Sequence, residues 1–458
     1  MISLPSIVLI DDNKEDLDEL QESFTRIGYP CFPIRYQGGE PGNVSGIDHV
    51  RLDMIKPRIV ISDLNLQELQ KLDEKQLAGP IAEVLRKLSL SGPFILYFWS
   101  RNAGTVEPVM QVIYERYTDI PHPIHWGVLD KTQFKSGQKN LEERIATITK
   151  DNQVFDALSS WEGRVSTAAQ KTTDSLFNLA RATEHESLSD FQGKTTDKIQ
   201  AMLSVIGNET LGVKNAAEEP DIAIELGLEP VLHDHIQAMY EHIEPSVWTD
   251  AANQIGKRIS ADSDVKAHLN SFYHIEKLED NAPKNKRGSW VEFEPSYLAD
   301  SNKEPKIKQN LGRNIKTLLN EEFLDSSQGS KATRKTVHEA TKIGFLELSA
   351  ECDQAQRKTK LNRYFLSAMI PKEHESYTFF REQKDNTAHA GIYRLPNVIV
   401  DGQEYIVKIS FMYQVGAIPN FNNKWLGKPI FRLKDQILSD ISFKASQHSA
   451  RPGIIRFD

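Results

Sequence analysis

Cysteine is nearly absent: the chain of 458 residues holds two, Cys31 and Cys352. Two thiols so far apart in sequence supply neither a disulfide framework nor a paired zinc knuckle, so the expected setting is reducing and cytoplasmic. Long apolar runs are missing too. The densest, Phe94 to Trp99, is far shorter than the roughly 20 residues that cross a bilayer, so no membrane role is expected. The apolar start Ile7 to Ile10 is cut off by Asp11 and Asp12 with no basic residue before it, which argues against a secretion signal. No glycine-rich phosphate loop, dinucleotide fingerprint, serine-centred elbow, fixed-period repeat or helix-turn-helix signature occurs. What is present is an ordinary globular composition, 39% hydrophobic and 26% charged, at a length that calls for two or three domains.

Charge is unevenly spread. Basic against acidic residues number 17 to 21 in 1–150, 18 to 30 in 151–330 and 20 to 13 in 331–458. The net charge therefore runs from -4 through -12 to +7. An acidic middle followed by a basic end raises an anionic partner, DNA or RNA, for the C-terminal stretch; a solvated basic surface is the plainer alternative.

Residues 1–150 read as alternating strands and helices. Ser6 to Ile10, Arg58 to Ser62, Phe94 to Trp99 and Gly127 to Asp130 are apolar runs. Helical spacing in Glu15 to Ile27, Leu77 to Leu90 and Gln138 to Ile148 separates or closes them. Fully apolar strands alternating with helices predict a parallel sheet covered on both faces, with functional groups beyond the strand C-termini. Residues 151–330 read as a helical linker or middle domain, interrupted by the polar stretch Asp280 to Gly288. Residues 331–458 are β-rich: Ile343 to Leu348, Arg363 to Ile370, Gly391 to Val400 and Tyr405 to Val415 are strand-like, with Asp401-Gly402 as a hairpin signal. A helix over Leu433 to Gln447 and a last short strand, Ile454 to Phe457, complete this α+β stretch.

The predicted strand ends carry, in order, Asp11-Asp12, Asp63, Ser100 and Lys131. If these strands lie side by side, carboxylates converge on one rim. Such crowding is unfavourable unless a hard divalent cation offsets it, and magnesium is the natural candidate. A lysine and a hydroxyl beside it would let one carboxylate accept a phosphoryl group.

This pattern resembles the receiver domain of two-component response regulators, over about residues 4–150. The resemblance implies a flavodoxin-like domain in which Asp63 is the phosphoacceptor, Ser100 the switch hydroxyl and Lys131 the phosphate-contacting lysine. It implies Mg2+ held by Asp11, Asp12, Asp63 and Asn65, with Asp12 the direct ligand of the acidic pair and Asn65 acting through its backbone carbonyl. The partner implied is a sensor histidine kinase or phosphotransfer protein. Three departures mark an atypical receiver. Lys131-Thr132 replaces the usual Lys-Pro; Val128 stands where an aromatic residue often swings with the switch, leaving Trp126 as a substitute; Leu66 to Ala78 and residues 35–56 are longer connections than usual.

The expected function is thus a phosphorelay protein whose helical segment passes a change at Asp63 to a C-terminal output domain. Two alternatives remain open: a receiver-gated effector, nucleic-acid-binding or hydrolytic, in a bacterial stress or phage-defence system, and an unphosphorylated pseudo-receiver adaptor. Other groups carry less. His233, His235 and His242 lie too far apart along a helix, about 10 Å for two turns, to share one metal ion. His185, in an acidic helical context, is a possible phosphate carrier. Cys352 with His374 or His389 would be a thiol nucleophile pair, and Arg357, Lys358, Lys360 and Arg363 with Tyr364 and Phe365 a phosphate-contacting patch.

Overall fold

The first apolar run forms strand β1 (Ile7–Asp11), every residue of which is buried. Beside it run β2 (Phe32–Arg35), β3 (Ile59–Ser62), β4 (Ile95–Ser100) and β5 (His125–Asp130), all paired in parallel in the order β2-β1-β3-β4-β5. Helices α1 (Lys14–Arg26), α2 (Glu74–Lys87) and α3 (Val106–Arg116) make the crossovers. Side chains alternate between two cores, as strand geometry requires. Val8, Val60, Leu96 and Phe98 meet α2 and α3 on one face; Leu9, Ile61, Tyr97 and Trp99 meet Leu17, Leu20 and Phe24 of α1 on the other. The sheet is flavodoxin-like in kind. The computed structural model that gives this fold describes residues 6–37, 46–52, 55–70, 73–88, 90–242, 245–258, 262–325, 327, 329–350, 353–354, 357–379, 391–419 and 423–450.

Local signals explain where α1 begins and ends. The Asn13 side chain accepts from the amides of Glu15 and Asp16, Glu15 and Asp16 occupy the first turn, and Gly28 takes φ +80 just beyond the end. Strand β2 was not anticipated by the sequence reading. It has four residues, one of them Pro33, and lies at the sheet edge, where a residue without an amide N–H is tolerated.

The C-terminal sheet is antiparallel and has eight strands. Its path is β10 (Ile392–Arg394), β12 (Gln403–Ala417), β9 (Asn362–Pro371), β8 (Lys342–Glu347), β7 (Ser289–Phe293), β13 (Leu426–Leu433) and β6 (Ile275–Lys277), with β11 (Val398–Val400) also on β12. The hairpin expected at Asp401-Gly402 is there: both residues have positive φ, 50 and 79, and Val400 pairs with Gln403. Two strands, β6 and β7, come from inside the stretch read as a helical middle. Ser289-Trp290-Val291-Glu292-Phe293 is rich in aromatic and β-branched residues that fill cores on both faces of the sheet, which favours a strand once Gly288, at φ +84, turns the chain into it. Much of the rest of that stretch is helical, including helices over Gln153–Ala180, Leu188–Leu211 and Pro220–Ala238. The expected strand Ile454 to Phe457 lies outside the described residues.

The chain thus has a multidomain layout of N-terminal parallel α/β sheet, helical middle and β-rich α+β C-terminal part. By its contacts it divides into two compact units, Met1–Leu179 with Pro230–Arg258 and Ala180–Glu229 with Ile259–Asp458. Among the described residues no helix is long and apolar enough to cross a membrane.

Candidate functional site

In a sheet of this order the chain reverses direction between β1 and β3, and a crevice opens beyond the strand C-termini at that point. Asp11 ends β1 and Asp12 follows it; Asp63 directly follows β3; Ser100 ends β4; Lys131 directly follows β5. All five, with Asn13, Asp16, Asn65, Glu68, Arg101 and Asn102, line one cavity of about 340 Å³.

The centre of the pocket is the ammonium of Lys131. Its Nζ donates to Asp11 Oδ2 at 3.0 Å, Asp16 Oδ2 at 2.7 Å and Asp63 Oδ1 at 2.8 Å. An ammonium has three N–H donors, so each finds a carboxylate. The side chain is 5% exposed and Asp11 is fully buried. Burial by itself would lower the Lys131 pKa, but Asp63 and Asp11 beside it hold it well above the ordinary lysine value. The remaining carboxylate oxygens are also occupied: Asp63 Oδ2 accepts from the Asn65 amide at 2.6 Å, and Asp11 Oδ1 from the Asn13 amide at 2.8 Å.

The acids are not equivalent. Burial, reinforced by the charge of Asp63, pushes Asp11 up to about 7 against the pull of Lys131. Asp12 is raised by the same two causes. Among the described residues no lysine or arginine pairs with the Asp12 carboxylate. Asp16 goes the other way. Burial would raise it, but hydrogen bonds from Lys131 and Lys135 keep it below the usual carboxylate range. Lys135 ion-pairs with Asp16 and lies 3.3 Å from Glu19.

The lining also bears on whether a cation could be held here. Asp12 and Asp63 both line the cavity, and their carboxylates and the Asn65 carbonyl are oxygen groups of the kind a hard cation takes. The Asn65 side chain is turned away, bonded to the backbone of Leu69 at both ends, 2.8 and 3.1 Å. Its carbonyl accepts from the Glu68 amide at 3.1 Å and keeps a second lone pair. Among the described residues no group of three or more His, Cys, Asp or Glu side chains forms a ready metal cage. Ser100 is buried and its hydroxyl accepts from the Asn102 amide at 3.1 Å. Val128 and Trp126 both pack, half-buried, against the core on the α2/α3 face.

The structure brings together every strand-end residue singled out from the sequence and adds one that was missed, Asp16. Its only sequence signal is an acid in the first turn of a helix, which reads equally well as a partner of the helix dipole.

The other constellations disperse. His233 bonds to Gln237 and His235 to Thr172, at 2.8 and 2.9 Å, so the two imidazoles do not converge. His185 is not helical, contrary to expectation. It lies in the link between the helices Gln153–Ala180 and Leu188–Leu211, where Ser187 caps the second, and packs edge-on against Phe191. Cys352 and His389 lie outside the described residues; His374 sits beside Glu373 and Tyr377. The basic patch lacks its stacking surface. Neighbouring residues of β9 point to opposite faces, so Tyr364 and Phe365 enter two different cores and are 1% and 7% exposed. Arg357 ion-pairs with Glu219 and lies 3.9 Å from Glu218.

No protein-family model matches the chain, and no curated protein matches it.

Proposed function

We propose that the N-terminal unit is a receiver: Asp63 accepts a phosphoryl group from a partner histidine kinase or phosphotransfer protein in the cytoplasm, and the change is relayed to a C-terminal output domain. The observation that carries this reading is the Lys131 ammonium bonded to both Asp63 and Asp11 on the floor of an open, acid-lined cavity. A purely structural ion pair has no need of a cavity, nor of a further acid, Asp12, whose carboxylate forms no ion pair among the described residues.

In the reaction a carboxylate oxygen of Asp63 attacks phosphorus. The bond from phosphorus to the donor, an imidazole nitrogen of phosphohistidine or the acyl oxygen of acetyl phosphate, breaks as the new P–O bond forms, and the donor leaves with that electron pair. Lys131 contributes a fixed positive charge to the phosphoryl oxygens, and the buried pocket lets that charge act with little screening. Ser100 offers a hydroxyl to a phosphoryl oxygen. Mg2+, held by Asp12, Asp63 and the Asn65 carbonyl with Asp11 behind them, would neutralise the charge gathering on the transferred group. Once formed, the acyl phosphate adds charge and acceptor oxygens where Lys131 and Ser100 can rearrange around them, which gives a packing change a local cause.

Incubation with acetyl phosphate and Mg2+ followed by intact mass tests this. Wild type is expected to gain one phosphate and Asp63→Asn none. Equal masses before and after treatment of wild type would refute the proposal and leave an inert adaptor.

A further inference from the structure

We propose that Asp16 is the positioning residue of this pocket, holding the Lys131 ammonium where a phosphoryl oxygen on Asp63 would meet it. The inference rests on the reading of Asp63 as phosphoacceptor and extends it to a residue outside the receiver pattern. Lys131 is followed by Thr132, and the pair opens the short helix α4 (Lys131–Lys135), whose N-cap Asp130 takes the Thr132 amide at 2.9 Å and its hydroxyl at 2.6 Å. That cap fixes where the Lys131 backbone starts but not where its ammonium ends, because the long stem has several rotatable bonds and much conformational freedom. The aim must come from what the ammonium touches.

Of its three carboxylate partners, Asp63 is the one that changes on phosphorylation, and Asp11 stands behind the cation site. Asp16 makes the shortest of the three contacts, 2.7 Å, comes from helix α1 rather than a strand end, and is 7% exposed. Its other oxygen pairs with Lys135, which also reaches Glu19. The Asp16 carboxylate is thus pinned between α1 and α4 whatever happens at Asp63. On the remaining side the ammonium lies 5.9 Å from the centre of the Trp99 ring. When a phosphoryl oxygen takes over the N–H now given to Asp63, two of three hydrogen bonds persist, and the ammonium pivots instead of drifting.

The test uses the full chain and two readouts. The first is amine labelling of Lys131 with a small acylating reagent, quantified by peptide mass, which needs no phosphate chemistry. The second is the rate of phosphate gain from acetyl phosphate with Mg2+. Asp16→Asn, nearly the same shape without the charge, is expected to raise Lys131 labelling and slow phosphate gain, each by on the order of ten- to a hundredfold, the effect of losing one charge-assisted hydrogen bond. Asp16→Glu, which restores the charge, should recover most of both. Lys135→Gln, which removes the second anchor of Asp16 from a partly exposed site, should raise Lys131 labelling several-fold; this variant decides the matter if Asp16→Asn does not fold. Lys131 labelling at the wild-type level in both Asp16→Asn and Lys135→Gln overturns the positioning role, as does an unchanged rate of phosphate gain in Asp16→Asn. If wild type takes up no phosphate on Asp63, the receiver reading fails on its own, and the labelling still decides whether Asp16 holds the lysine.

Discussion

Replacing Lys131 with methionine keeps the length of the side chain and removes the charge at the centre of the pocket. In the wild type that charge sits within 3.0 Å of three carboxylates that are at most 10% exposed. Breaking a buried ion pair by deleting one partner costs about 3–5 kcal/mol, because the charges left behind have lost both water and counter-ion. For a unit of roughly 200 residues each kcal/mol moves the melting temperature by about 2–4 °C, so a fall on the order of 10 °C is expected at neutral pH. The pH dependence gives a sharper check. Asp11 stands at about 7 in the folded protein against 3.8 ordinarily. The native state therefore keeps a proton that the unfolded chain releases, and this group's contribution declines as pH rises from its ordinary value through about 7, with the full cost present above. Lys131 pulls Asp11 down, so losing it extends that window upward. The stability gap between Lys131→Met and wild type should accordingly be smaller at pH 5 than at pH 8. Millimolar Mg2+ should stabilise wild type by mass action, by about 2.7 kcal/mol at a hundredfold excess over its dissociation constant. Thermal melts of both proteins at the two pH values, with and without Mg2+, measure all of this. A variant that melts with wild type at pH 8, or a gap that widens at pH 5, would refute the electrostatic account of the pocket.

Glu347→Gln concerns the other unit. Glu347 is fully buried, burial pushes its carboxyl up to about 7, and the Ser349 hydroxyl and amide hold one oxygen. A raised carboxyl contributes less as pH climbs from its ordinary 4.5 to about 7, so the neutral variant should gain stability over wild type at pH 8, by up to about 3 kcal/mol, and little at pH 4.5; urea denaturation at both pH values reads the difference, and a loss at pH 8 contradicts it. Gly344→Ala should destabilise the same sheet by about 1–3 kcal/mol, since a Cβ there would lie 2.5 Å from the Trp290 ring and from the Val291 carbonyl; an unchanged urea midpoint would show that β7 and β8 can part. Ser367→Ala leaves the buried Trp290 indole N–H, now 2.8 Å from the Ser367 hydroxyl, without an acceptor, and should cost about 1–3 kcal/mol in the same assay.

How much of this was legible in the sequence depends on whether a position is fixed locally. Strands β1, β3 and β4 announce themselves because each is buried on both faces and so reads as an unbroken apolar run; the edge strand β5 is only partly buried, yet Gly127 to Leu129 still shows as a short apolar run, and the residue after such a run is at the sheet's C-terminal rim whatever the rest of the chain does. Asp11, Asp12, Asp63, Ser100 and Lys131 all inherit their place that way. The hairpin at Asp401-Gly402 was equally plain, since both residues tolerate the positive φ that the turn demands. Strand β2 was hidden by Pro33 and by its half-exposed place at the sheet edge, and β6 and β7 by the helices and polar loops around them. The basic patch misled for a geometric reason: Tyr364 and Phe365 are adjacent in sequence, and on a strand adjacency means opposite faces. Asp16 is the most instructive case. Its partner lies 115 positions along the chain, and what makes it a pocket residue is the rotation of α1 about its own axis, set by Leu17, Leu20 and Phe24 packing on the sheet. Helical periodicity fixes which residues share a face but not which strand end that face overlooks. The acid nearest Lys131 was therefore the one that no strand-end argument could reach, and a site assembled from strand ends alone accounts for two of the three bonds that hold its lysine.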